Sequence, residues 1–194
     1  MVAATRKRPA TYEDVLAAPE HMVAEIIDGE LYVSPRPGPA HAIAASTIGA
    51  NLLEPFQGGR GGPGGWWIID EPELHLEAVG RPIVPDVAGW RVERMPELPD
   101  TAYFTIAPDW VCEVISKSTE ALDRAKKMPV YAAAGVKHVW LVNPIAKTLE
   151  VYRRVEGAWH LVHAYSDEGI IRAEPFDAIE IELARWWSKP AAPK

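Results

Sequence analysis

Two apolar runs separated by a helical stretch constrain this chain more than any other feature. The run DWVCEVIS, residues 109–116, is an apolar strand interrupted by one carboxylate, and HVWLVN, residues 138–143, is continuous and apolar. Between them, residues 118–134 carry a helical pattern, with Pro129 as a break or restart and Gly135 as the stop. A continuous apolar strand suits a central position covered on both faces. Two strands bracketing a helix predict parallel neighbours joined by a right-handed crossover.

The remaining segments extend this unit. Residues 11–16 (TYEDVL) cap and start a short helix. EIIDGELYVSP reads as a hairpin turned at Asp28-Gly29, and residues 148–166 read as a second one turned at Glu156-Gly157. PRPGP, residues 35–39, breaks the chain. From His41 onward, Ala44, Ile48, Leu52 and Phe56 recur at i+4 spacing, which predicts a helix. Strands are expected at residues 66–69, 73–77 and 82–90, a loop at 91–107, and a last strand or short helix at 179–187. The order is that of one mixed α/β domain over residues 11–187, with flexible termini at 1–10 and 188–194.

At 194 residues the chain is long enough to bury a core without disulfides or structural metals. Hydrophobic residues make up 48% and charged residues 24%, which argues against a mostly disordered chain. No apolar run reaches the ~18 residues of a membrane helix, and no apolar segment follows the basic residues of the amino terminus as a secretory signal requires. The single cysteine, Cys112, forms no internal disulfide, and a cytoplasmic location is expected. The net charge of −7 disfavours loose binding to polyanions, so contact with nucleic acid requires a local basic surface or a bound metal.

Carboxylates in apolar strands mark the candidate site. Asp86 lies in IVPDVAGW and Glu113 in WVCEVIS. Burying such a group alone costs several kcal/mol, on the order of 2–7, so it needs a cation or an edge position facing water. Lys127 lies on the helix after the Glu113 strand, and that helix packs back over the sheet. Lys126 and Lys127 point about 100° apart, so one faces inward while the other is solvated.

These residues carry a resemblance. AEIIDGELYVSP, His41, IVPDVAGW, DWVCEVISKST and KKMPVYAAAGVKHVWLVNP together resemble the Uma2 family, also called DUF820, a branch of the PD-(D/E)XK nucleases. The likeness covers roughly residues 11–186 and is most specific over 109–144. It implies a restriction-endonuclease-like fold: a mixed β-sheet flanked by helices, with added N-terminal and C-terminal hairpins. It places the family's proline-aspartate on Pro85-Asp86, its strand glutamate on Glu113, and its helix lysine, four residues before a tyrosine, on Lys127 and Tyr131. The wider superfamily has its lysine two positions after the acid. Here that position is Ile115, so the role passes to Lys127, with Lys117 as its rival. The resemblance implies a magnesium (or manganese) ion held by Asp86, Glu113 and the carbonyl of Ile115, DNA as substrate, and Lys127 orienting the attacking water. Glu25 is either a third acid or base, or a solvated hairpin residue. Glu71 is a further candidate, and His41 is expected to cap a helix or make a hydrogen bond.

Other motifs carry less. GRGGPG, residues 59–64, satisfies G-x-G-x-x-G but precedes a strand, so it reads as a mobile loop whose Arg60 can touch a phosphate. His160 and His163, three apart in a strand, are expected on opposite faces. Cys112 alternates away from Glu113 into the core. Most of the eight tryptophans belong to the core, and Trp90, Trp186 and Trp187 are the exposed candidates. The leading expectation is a metal-dependent endonuclease acting as a homodimer, since two cuts suit two sites related by a two-fold axis. The alternatives are an inactive nucleic-acid-binding or interaction module that keeps the nuclease fold, and a structural homodimer whose carboxylates are merely paired to lysines.

Overall fold

The computed structural model describes residues 8–76 and 80–187. The expected tail at 188–194 and the first seven residues of the expected leader lie outside the described residues. The centre is a six-stranded sheet of β3 (Trp66–Asp70), β6 (Val87–Arg91), β7 (Trp110–Val114), β8 (His138–Asn143), β9 (Thr148–Val155) and β10 (Ala158–Ser166), in the order β10-β9-β8-β7-β6-β3. Only β7 and β8 run parallel; the other neighbours are antiparallel. That is the pair predicted from the two apolar runs. The crossover between them is α3 (Glu120–Leu122), a wide π turn at Asp123–Lys127, and α4 (Met128–Ala134), ending at Gly135 with φ 87°. Pro129 has no N–H to donate back to residue 125, so the helical ladder is interrupted at this point. The widened turn ends two residues before it, at Lys127.

Both hairpins form as expected. β1 (Met22–Ile27) and β2 (Glu30–Pro35) turn at Asp28 and Gly29, with φ 52° and 76°. β9 and β10 turn at Glu156 and Gly157, with φ 50° and 85°. Two consecutive left-handed residues match the strand twist, and Gly accepts that conformation without strain. The expected strand at 82–90 instead divides into β5 (Gly80–Ile83) and β6, and Asp86 sits at the break. β5 pairs with β4 (Leu74–Leu76) in a separate small sheet. Pro82 and Pro85 remove two ladder donors and favour that division.

Each face of the central sheet packs against its own layer. On one face, α2 (Pro39–Leu52) and the π turn at Leu53–Gln57 bring Ala44, Ile48, Leu52 and Phe56 against Trp66, Trp110, Cys112 and Trp140. The chain end completes this layer with β11 (Ile170–Ile171), β12 (Ile181–Glu182) and α5 (Ala184–Trp187). On the other face, Met128, Val130 and Tyr131 cover Val111, Ile115, Val139 and Leu141. Trp110, Cys112 and Val114 therefore face one layer while Val111 and Ile115 face the other. By strict alternation Glu113 points to the helix side.

Two sequence expectations are corrected here. Trp90 and Trp186 are buried, not exposed; their indole N–H groups donate to Ile106 O and Asn51 Oδ1. Each packs into one of the two core clusters, which a linear pattern does not reveal. His160 and His163 face the same side of the sheet, opposite Arg153 and Val151, because a bulge at Val162 adds one residue to β10.

Gly89 on β6 lies between rings: an added Cβ would stand 3.2 Å from both Trp110 and Trp66. Gly89→Val is expected to cost about 1–3 kcal/mol through overpacking, read as a lowered denaturation midpoint with unchanged slope. Asp109, buried at the start of β7, is paired with Arg94 and Lys137, both at 2.9 Å, and accepts Arg91 N–H at 2.9 Å. Burial alone would raise its pKa, but these partners outweigh it and hold the carboxyl below its usual 3.8. A depressed folded-state pKa stabilises above the unfolded value, and the contribution fades as pH falls through the folded one. The stability advantage of the wild type over Asp109→Asn is therefore expected to be constant down to pH 3.8 and to shrink below it, as measured by urea unfolding across pH.

Candidate active site

Five elements meet at the carboxyl end of β7. β7 supplies Glu113, β1 supplies Glu25, and the break before β6 supplies Asp86. The wide turn supplies Asp123 and Lys127, and α2 supplies His41. All six line one cleft of about 440 Å³. Glu25, Glu113, Asp123 and Lys127 are buried, with Lys127 5% exposed.

Lys127 is the hub. Its Nζ lies 2.9 Å from Glu25 Oε1, 3.3 Å from Glu113 Oε1 and 3.7 Å from Asp123 Oδ1, and it donates to Val84 O at 3.1 Å. Val84 N–H in turn donates to Glu25 Oε1 at 2.8 Å, so the strand edge before Asp86 is tied to the hairpin. Tyr131 OH donates a short hydrogen bond to Glu113 Oε1. Val114 N–H donates to Asp86 Oδ2 at 2.6 Å, which holds that carboxylate against the end of β7. His41 Nε2 faces Asp86 Oδ1 at 3.2 Å, while its buried Nδ1 has no partner among the described residues.

The cluster is short of positive charge. Four carboxylates share one permanent cation, the Lys127 ammonium. Burial pushes Glu113 well above the ordinary carboxylate range, and Asp123, Asp86 and Glu25 push the same way against Lys127. Burial raises Asp123 to about 6. Burial would lower Lys127, but the attraction of Glu113, Glu25, Asp123 and Asp86 wins and raises it, so the amine stays charged. Burial also raises Tyr131, followed by Glu113, so its hydroxyl remains a donor.

A surplus of carboxylate oxygen in a cleft suits a hard divalent cation. Among the described residues no three acid, histidine or cysteine groups are spaced as a ready-made ion cage. Magnesium fits such a place because it is commonly held by one or two carboxylates and keeps several waters. Asp86, more exposed than the other three acids and not paired with Lys127, is the acid most open to that role, whereas Glu113 is engaged by Lys127 and Tyr131 and Glu25 by Lys127 and Val84.

The sequence expectations fare unevenly. Lys127 is buried while Lys126 and Lys117 are exposed. Glu25 is not a solvated hairpin residue: docking of the hairpin on the β5 edge carries it inside. Glu71 stands at the cleft mouth, paired with Arg36 at 3.2 Å. Ile115 buries its side chain in the helix-side layer. Asp123 was missed. The spacing Asp123, Lys127, Tyr131 is a repeat of four on one helical segment, and this signal would have found it.

Fold and cleft define an α/β protein of nuclease-like architecture, with an acid-rich pocket at a sheet's end. The Uma2 family model, described as "Putative restriction endonuclease", matches residues 9–184, and the chain belongs to that family. The fold is also similar to a solved structure described as a "putative nuclease belonging to DUF820 from Anabaena variabilis ATCC 29413". The TM-score is 0.73 at 20% identity, covering 92% of this chain and 98% of that one. No curated protein matches the chain. Among the described residues no helix is long and apolar enough to cross a membrane.

Proposed function

We propose that this protein is a metal-dependent endonuclease that hydrolyses DNA phosphodiester bonds, carried by a single domain over residues 11–187 and working in the cytoplasm. The observation that carries the reading is the three buried carboxylates of Glu25, Glu113 and Asp123 around Lys127, with Asp86 beside them in the same cleft. Asp86 and Glu113 would hold magnesium or manganese, with the carbonyl of Ile115 as a third ligand. When bound, the ion would lower the pKa of a water and offset phosphate charge.

The chain's own groups do the rest. Lys127 stays protonated, so it serves as an electrostatic anchor and a donor to the attacking water, not as a base. Glu25 and Val84 O hold that ammonium at the strand end. Tyr131 orients Glu113, and His41 orients Asp86. The acids explain how a chain of net charge −7 meets a polyanion: a bound cation removes the local repulsion.

The test is cleavage of supercoiled plasmid with magnesium or manganese. Wild type is expected to nick and linearise it, while Asp86→Ala, Glu113→Ala and chelator-treated wild type fall to background. Equal cleavage by all three proteins would overturn the reading. Binding without cleavage by the wild type would do the same and leave an inactive binding module.

A further inference from the structure

The two edges of the central sheet are finished differently. At the β3 edge, the outward Ile68 N–H is capped by Gln57 Oε1 at 3.0 Å, from the π turn that ends α2. That side chain occupies a donor a foreign strand would need. At the β10 edge, no strand among the described residues pairs outward. β10 is nine residues long and reads AWHLVHAYS, with no acidic residue, lysine, arginine or proline. Edge strands are ordinarily protected by charges, prolines or shortness. This one has none of these, its one edge-protecting device being a bulge, and Leu161 (55%) and Val162 (37%) are exposed on it. Its only irregularity is the bulge at Val162.

β10 is also held ready. Trp159 near one end donates its indole N–H to Met128 O at 2.8 Å, and Tyr165 near the other donates to Arg172 O at 3.0 Å. The backbone between these anchors is ordered against β9 on its inner side, with its outer side free of any strand. A rigid strand loses little entropy on pairing.

We propose that β10 is the self-association surface of this protein: a second copy pairs its own β10 antiparallel to it, and the two six-stranded sheets become one of twelve. A second copy is the occupant the strand fits. Antiparallel pairing of identical strands is two-fold symmetric, so each chain offers the surface its partner needs. The chain carries a net charge of −7, and β10, with no acidic residue of its own, adds nothing to the repulsion between two copies. Exposed Leu161 and Val162 lie at the middle of the strand, beside the point where the two-fold axis would pass. The inference does not depend on nuclease activity.

The experiment is sedimentation equilibrium of the full chain, with Leu161→Lys combined with Val162→Lys as the variant. The wild type is expected at twice the 21.4 kDa of one chain. Lysines beside the axis in both copies are expected to weaken association by at least about tenfold while the circular dichroism spectrum stays unchanged. A monomeric wild type at high micromolar concentration overturns the proposal, as does a folded variant that dimerises as tightly as wild type. Hydrogen exchange on the wild type decides independently of the variant. β10 amides are expected to gain protection as concentration rises, and exchange independent of concentration would overturn the proposal.

Discussion

Lys127→Met is expected to lower the free energy of unfolding by about 3–5 kcal/mol, the loss seen when one member of a buried ion pair is removed. Methionine keeps most of the side-chain length and none of the charge. It would leave Glu25, Glu113 and Asp123 buried beside one another without the ammonium that now lies 2.9, 3.3 and 3.7 Å from them. Val84 O would lose its donor as well. Adding Glu25→Gln should recover part of the loss, because an amide still accepts from Val84 N–H but carries no charge. The non-additive part is expected at roughly 1–3 kcal/mol. Chemical denaturation of wild type, both single variants and the double variant measures it. Strictly additive losses would show that Lys127 and Glu25 do not share one electrostatic cluster.

Phe176→Ala is expected to cost about 3–5 kcal/mol, or roughly 6–20 °C in the thermal midpoint, for a different reason. Phe176 is fully buried within a cage of Phe56, Trp66, Trp110 and Trp140, whose ring centroids lie 4.6, 4.9, 4.8 and 5.5 Å away. It joins the chain end to the π turn after α2 and to the sheet in one contact set. Truncation leaves a void that four large aromatic side chains cannot close, since each is also held by its own strand or turn. Calorimetry on the variant checks the size of the effect, and a shift below a few degrees would mean that the cage collapses without strain.

The metal reading and the ion cluster answer to different measurements. Loss of cleavage in Asp86→Ala with an unchanged unfolding midpoint would assign that carboxylate to chemistry. Asp86 suits this test because it is less buried than Glu113 and is not paired with Lys127. Under the proposed reading Glu113 serves both purposes, so its removal is expected to lower stability and activity together.

Much of the scaffold was readable along the chain. The pattern of 109–143 carries the parallel pair and its crossover, because a strand covered on both faces has to be apolar throughout. Asp28-Gly29 and Glu156-Gly157 carry the hairpins, because few residues tolerate left-handed backbone. Ala44, Ile48, Leu52 and Phe56 carry α2. These are short-range constraints, expressed within one or two turns of chain, and periodicity reports them directly.

The site itself was legible only in its residue types. Resemblance supplied Asp86, Glu113 and Lys127 as a set, but the pairing of Glu25 with that set depends on a hairpin docking across 59 positions of sequence to Val84. Lys127 reaches the same residue across 43. The burial of Trp90 and Trp186, the contact of His41 with Asp86, and the common face of His160 and His163 were likewise set by which layers meet and by one bulged residue. The amino-acid order by itself determined which segments become strands, helices and turns, since local backbone preference and alternation of burial are written within each segment. Only the tertiary structure decided which carboxylates share one lysine. Charge interaction depends on distance and desolvation, and both are properties of assembled layers rather than of neighbours in the chain.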